Sequence, residues 1–248
     1  MAEVALVTGG ARRIGRAIVE RLAEAGYAVA IHSGSARAEA EALSGEIERR
    51  GSRAAVVVAD LADPAAVDAL MPAAEAALGP VTLLVNNASS FLVDDITAID
   101  VPTWNRQFSI NLRAPSVLAG ALANRLPDGR NGAVVNIIDQ RVWKLTPQYY
   151  SYTLTKAALL TATKTMAQAL APRIRVNAVG PGPTLPNPHD GAEAMEQEAA
   201  AILLQRRIDA REIAEAVLYL AQARSVTGQM IAVDGGQHLG WRTPDIID

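Results

Sequence analysis

The chain contains no cysteine. Disulfide frameworks, zinc–thiolate centres and thiol nucleophiles are thereby excluded. Its three histidines, His32, His189 and His238, are too scattered to suggest a metal site. No apolar run reaches the roughly 18 residues that a membrane span needs. Met1, Ala2 and Glu3 lead straight into a strand-like stretch, with no basic start and no cleavage region. A cytoplasmic protein that engages no membrane is therefore expected, and the glycosylation sequon Asn87-Ala88-Ser89 is discounted. Excess positive charge is lacking too: 23 Lys and Arg stand against 26 Asp and Glu, a formal net charge of −3. That balance argues against a nucleic-acid partner. Aromatic residues make up only 4% of the chain, and the two phenylalanines, Phe91 and Phe108, are informative where they stand.

What the chain does have is apolar substance. Half of its 248 residues are hydrophobic, which excludes a disordered chain and supplies a large core. Strand-like runs are expected over 4–8, 27–32, 53–59, 81–86, 133–138, 174–179 and 230–233. Helical stretches fall between them, over 14–25, 36–50, 64–78, around 104–125, 149–171 and 213–222. The strands are continuous apolar runs, as at 55–59 and 81–85, and such strands are covered on both faces, as in a parallel sheet between helix layers. The expected fold is α/β, one doubly wound domain over 1–248, with no linker or repeat to divide it. The Pro- and Gly-rich 181–191 and the polar, helix-like 192–206 mark a candidate substrate lid around 183–206.

The first strand ends in Thr8-Gly9-Gly10-Ala11-Arg12-Arg13-Ile14-Gly15, and a helix follows. A glycine-rich turn opening a helix brings backbone N–H groups and the positive helix end to a pyrophosphate, the geometry of dinucleotide binding. An NAD site places an acid about 20 residues on, at the end of the second strand. Here no acid stands between Glu24 and Glu39, and the segment reads His32-Ser33-Gly34-Ser35-Ala36-Arg37. Hydroxyls and a cation suit a 2′-phosphate, with Arg12 in the adjacent turn able to help, so the expected cofactor is NADP(H).

Tyr152 and Lys156 are four apart on a predicted helix and share a face; Tyr149 and Tyr150 have Thr153 and Leu154 at that spacing. An ammonium nearby is expected to lower the tyrosine pKa and make Tyr152 a proton donor at neutral pH.

With these motifs the chain resembles the short-chain dehydrogenase/reductase family over nearly its whole length. The matching residues are the first turn, Asp60, Asn86-Asn87-Ala88, Asn111, Tyr152 with Lys156, Pro181-Gly182, and Val233-Asp234-Gly235-Gly236. The resemblance implies a Rossmann fold of seven parallel strands with catalysis at their C-terminal edge. It implies that Asp60 and Leu61 contact the adenine, and that Asn87, Ala88 and Ser89 line the adenosine-side ribose. Lys156 is implied to hold the nicotinamide ribose, Asn111 to support a proton-feeding water chain, and Pro181 and Gly182 to border the nicotinamide. A homotetramer is implied as well, built on the helix around 104–125 and the one carrying Tyr152.

Two departures from the family pattern narrow the reading. The usual middle glycine of the turn is Arg13, and Asp139 stands thirteen residues before the tyrosine, where the family has a serine. A carboxyl replaces a hydroxyl poorly for polarising a carbonyl. Beside a tyrosine in an apolar cleft, however, a partly protonated carboxyl can pass a proton to a ring nitrogen. The combination is similar to the pteridine reductase and dihydromonapterin/dihydrofolate reductase branch, as is the stretch Asn86-Asn87-Ala88-Ser89-Ser90-Phe91. That resemblance implies a small heterocyclic substrate stacked on Phe91, with Ser89 and Arg13 bonding the pterin and the phosphates, and Tyr149 lining the pocket. Leu185 and Trp143 are further pocket candidates, and the tail His238-Leu239-Gly240-Trp241-Arg242 is a candidate to enter a neighbouring subunit's pocket. The branch's best-known members carry a basic residue where this chain has Gly34-Ser35-Ala36, so the 2′-phosphate contacts differ in detail. The expected activity is NADPH-dependent reduction of a C=N bond. The alternatives are a carbonyl or 3-oxoacyl reductase and a non-catalytic nicotinamide sensor.

Overall fold

The computed structural model describes residues 2–186 and 191–241. Seven parallel strands form one sheet: β1 Val4–Val7, β2 Ala28–Ser33, β3 Ala54–Val58, β4 Val81–Asn86, β5 Gly132–Ile137, β6 Ile174–Pro181 and β7 Met230–Val233. Their order is β3-β2-β1-β4-β5-β6-β7. The order reverses between β1 and β4, and ligands of open α/β sheets bind in the crevice beyond the strand ends at such a reversal.

The helices are α1 Arg13–Glu24, α2 Arg37–Arg49, α3 Pro64–Leu78, α4 Val101–Phe108, α5 Ala114–Arg125, α6 Tyr150–Leu170, α7 Gly191–Ala201 and α8 Ala210–Gln222. Every residue of β1 is buried, and successive side chains enter different cores. Ala5 and Val7 pack with Ile18, Leu22, Leu43 and Val217 of α1, α2 and α8. Val4 and Leu6 pack with Leu70, Met71, Leu118 and Leu122 of α3 and α5 on the other face. The unbroken apolar runs are thus explained by two-sided burial.

Local signals fix the helix starts. Asp63 caps α3 by accepting from the Ala65 N–H at 2.9 Å, with Pro64 in the first turn. Asp209 and Glu212 form a reciprocal capping box at α8.

The structure corrects the single helix expected around 104–125. A five-residue π turn, Ser109–Arg113, separates α4 from α5. Such an insertion rotates the chain out of helical register and recurs at functional sites. Here it carries Asn111.

Candidate active site

The C-terminal strand ends open into a cleft of about 660 Å³. One rim is the first turn. Gly9 adopts φ +62°, and a Cβ on Gly15 would stand 2.1 Å from the Gly9 carbonyl oxygen. Only glycine fits at residue 15. Thr8 braces this turn from behind: its Oγ1 accepts from the N–H groups of Asn87 and Ala88 at 2.9 and 3.0 Å. Asn87 Nδ2 donates to the Thr8 and Gly9 carbonyls. α1 then starts without a side-chain cap and without an acid in its first turn. Its leading N–H groups and positive end are available to an anion, so the cradle fits a pyrophosphate.

Arg13 occupies the left-handed region, φ +54°, which glycine adopts without penalty. Its guanidinium donates to the carbonyls of Pro186 and Leu185 at 2.9 and 3.2 Å, tying the turn to the segment after β6.

Beyond the C-terminal end of β2, Ser33, Gly34, Ser35 and Ala36 line the cleft with Arg12. The Arg12 guanidinium pairs with Glu39 of α2, an acid that the linear sequence places outside the diagnostic window.

His32 departs from expectation. It is buried, 2% exposed. Its Nε2 lies 3.0 Å from the Ala59 carbonyl, which can only accept, so Nδ1 is the acceptor for the Gly9 N–H at 3.1 Å. Burial lowers its pKa, and the neutral ring braces the turn instead of meeting a phosphate. Arg37 also faces away, pairing with Glu41 along α2 at 2.7 Å. Thr8, Asp60 and Leu61 do not line the cleft either. Leu61 belongs to the core, and Asp60 caps the Ala62 N–H and pairs with Arg106 at 3.6 Å.

The cleft floor holds Asp139, Tyr152 and Lys156. Asp139 follows β5 and caps the next turn, accepting from the Arg141 N–H through Oδ1 at 2.8 Å. This leaves Oδ2 to accept from the Tyr152 hydroxyl at 2.9 Å. Burial raises the Asp139 carboxyl above the usual carboxylate range, against the opposing pull of the Arg141 N–H. Lys156 is 2% exposed and donates to the Ile137 carbonyl at 2.8 Å. Burial depresses it to about 8.

The expected lowering of the Tyr152 pKa by Lys156 is not found. The phenol is raised well above 10.0, first by burial and then by the Asp139 charge. Tyr152 therefore keeps its proton across the neutral range and points it at Asp139.

Asn111 on the π turn links the loop after β4 to α6. Its Oδ1 accepts from the Ser90 N–H at 2.7 Å, and its Nδ2 donates to the Ser90 carbonyl and to Thr155 Oγ1. Ser89 Oγ also reaches Asn111 Oδ1, at 3.3 Å. Phe91 stacks on Tyr149 with ring centroids 4.3 Å apart and meets the Tyr152 ring edge-on at 4.6 Å. Tyr149, left-handed at φ +54°, turns into an adjoining pocket of about 460 Å³. Leu185 lines both spaces, and β6 ends at Pro181 with Gly182 packed on Asp234, where a Cβ would stand 2.6 Å from Asp234 Cα.

Gln140, Arg141, Glu198 and Gln237 line both spaces and escaped the sequence reading. They come from three separate segments and share no local motif; only the position of Arg141, two residues after Asp139, was a usable signal. Trp143 is exposed and lies against His238, with ring centroids 5.0 Å apart. Of the expected lid and tail, residues 187–190 and Arg242 lie outside the described residues.

No helix among the described residues is long and apolar enough to cross a membrane, and among them no cluster of acids and histidines could hold a metal.

The enoyl-(acyl carrier protein) reductase family model matches residues 9–238. A 3-oxoacyl-[acyl-carrier-protein] reductase of Staphylococcus aureus is 33% identical over 96% of this chain and 99% of that protein. A short-chain type dehydrogenase/reductase of Picea abies is 33% identical over 94% of this chain and 92% of its own length. Among solved structures, FolM alternative dihydrofolate reductase 1 from Brucella suis, in complex with NADP, is 52% identical with a TM-score of 0.96, covering 99% of this chain and 98% of that one. A blue fluorescent protein from a metagenomic library, in complex with NADPH, is 39% identical with a TM-score of 0.88 over 95% and 97% of the two chains. By its sheet order, its Tyr152–Lys156 pair and these likenesses, the chain belongs to the short-chain dehydrogenase/reductase family.

Proposed function

We propose that this protein is an NADPH-dependent reductase acting on a C=N bond of a pterin, dihydropterin or dihydrofolate. The observation that carries the reading is the Asp139–Tyr152 bond of 2.9 Å on the cleft floor. The reaction adds a hydride to carbon and a proton to the neighbouring nitrogen. When bound, the reduced nicotinamide supplies the hydride.

The chain's own residues supply the rest. Gly9, Gly15 and the start of α1 hold the pyrophosphate; Arg12, Ser33 and Ser35 rim the adenosine end; Lys156, Pro181 and Gly182 border the nicotinamide end. Burial favours the protonated form of Asp139, and Tyr152 stays protonated beside it. The pair offers a substrate nitrogen something an alcohol cannot, because a carboxyl gives up its proton far more readily than a hydroxyl and keeps a second oxygen to accept a hydrogen bond. Phe91, with one face stacked on Tyr149, lines the cleft beside Tyr152 and adds aromatic surface for a planar ring. The likeness at 52% identity to NADP complexes of dihydrofolate reductases from Brucella supports both the cofactor and the substrate class. Residues 183–206 are proposed to act as the lid.

Asp139→Ser tests this. Reduction of a dihydropterin is expected to fall about 100-fold or more, with NADPH binding retained. A serine variant with the parental rate overturns the reading. The 33% identity to 3-oxoacyl reductases favours the second reading, carbonyl or thioester-linked ketone reduction. Turnover of a 3-oxoacyl thioester, with none of a dihydropterin, would select it.

A further inference from the structure

Beside the cleft lies the second pocket, about 460 Å³, which shares the wall formed by Gln140, Arg141 and Leu185. Its lining divides by chemistry. Tyr149, Pro183, Leu185 and Met195 are apolar or aromatic, and Arg141 and Lys144 are cations. Most arginines of this protein are spent on carboxylates or on backbone carbonyls. Arg141 and Lys144 differ: among the described residues, neither has a carboxylate within ion-pair distance. Among the described residues of the pocket wall the one carboxylate is Glu198, which accepts from Gln237 Nε2 at 2.6 Å.

The two cations are also held in place. The Arg141 guanidinium lies 5.3 Å from the Tyr149 ring centroid and donates to Thr146 Oγ1 at 3.3 Å. Lys144 Nζ rests against Gly240, where a Cβ would come within 2.3 Å of it. The backbone N–H of Arg141 meanwhile caps Asp139, the carboxyl at the centre of the cleft. One short turn thus presents an acid to the cleft and, to its annex, a cation with no carboxylate partner among the described residues.

We propose that the annex is a subsite for the anionic, aryl-linked tail of a folate-type substrate, with Tyr149, Leu185 and Met195 against the aryl group and Arg141 and Lys144 reading the carboxylates. This deepens, and rests on, the pterin reading of the cleft. A pterin without the tail engages the cleft alone. Substrate preference is then set by residues that touch no reacting atom.

The test compares the NADPH-loaded protein with dihydrofolate and with dihydrobiopterin, which lacks the tail. In Lys144→Gln, at a residue that lines the annex and not the cleft, the KM for dihydrofolate is expected to rise about ten-fold with kcat retained, while dihydrobiopterin kinetics stay within about two-fold. Lys144→Arg is expected to restore most of the loss and also controls for folding. About 0.5 M KCl is expected to raise the KM for dihydrofolate selectively in the parent. Equal losses on both substrates, or no loss on either, overturn the subsite. If the parent reduces neither substrate, the pterin reading falls by itself. Calorimetry with p-aminobenzoyl-glutamate on the NADP-loaded protein then decides the subsite independently. Binding that disappears in Lys144→Gln supports it, and absence of binding in the parent overturns it.

Discussion

Arg13 Nη1 donates to the carbonyl of Pro186 at 2.9 Å, joining residues 173 positions apart. The side chain that replaces a glycine in the first turn therefore anchors the segment leaving β6. Its backbone accepts a left-handed conformation to do so, at a cost of about 1 kcal/mol. Arg13→Gly relieves that strain and releases the anchor. The melting temperature is expected to change little, because the two effects oppose one another. Amide exchange at Thr184 and Leu185 is expected to accelerate, which hydrogen-exchange mass spectrometry reads directly. Unchanged exchange would show the tie to be incidental.

The Tyr152 hydroxyl favours the ionised form of Asp139 by donating to it. Removing that bond raises the carboxyl further. In Tyr152→Phe the maximal rate of dihydropterin reduction is expected to drop at least about 100-fold. The limb on which activity falls as Asp139 deprotonates should move to higher pH. A pH profile whose falling limb stays in place, or moves to lower pH, contradicts the coupling.

Lys156 makes a signed prediction for stability. Its folded pKa, about 8, lies below its ordinary 10.5. Between these values the unfolded chain carries a proton that the folded chain lacks, so this residue's contribution to stability rises with pH across the window. Below about 8 the buried ammonium opposes folding by about 3 kcal/mol. Relative to Lys156→Met, the parent is therefore expected to gain stability from pH 7 to pH 10, measured by urea unfolding. A constant difference would place the pKa elsewhere.

Arg12, on the cleft rim beside β2, forms an ion pair with Glu39, and Arg12 is proposed to meet the 2′-phosphate. Arg12→Ala is expected to weaken NADPH binding about ten-fold and NADH binding hardly at all. Glu39→Gln frees the guanidinium and is expected to tighten NADPH. Fluorescence titration of the reduced cofactors checks both; equal losses for the two cofactors would remove Arg12 from 2′-phosphate recognition.

The elements that long apolar runs and clear stop signals define were legible in the chain. β4, β7 and α3 fall where periodicity, Pro64 and Gly79 put them. Asp139, Tyr152 and Lys156 were legible as a constellation because two of them are one helical turn apart. What was hidden depended on tertiary contact. The π turn has no marker in residue type, since its extra residue is stabilised by the bonds of Asn111 to Ser90 and Thr155. His32 looked like a phosphate contact because sequence does not reveal which way a strand-end side chain turns. The direction of the Tyr152 shift was missed because spacing reports the nearby ammonium but not the burial that outweighs it. Glu39 lay beyond the expected window until α2 folded its first turn back onto Arg12.

The first turn is cramped. With Gly9, Gly15 and Asn87 in mutual contact, its backbone has no slack to be remodelled around a different dinucleotide. A variant of this chain that exchanges phosphorylated for unphosphorylated cofactor is therefore expected to need substitutions at the rim positions 12, 33, 35 and 39 and none in the cradle itself.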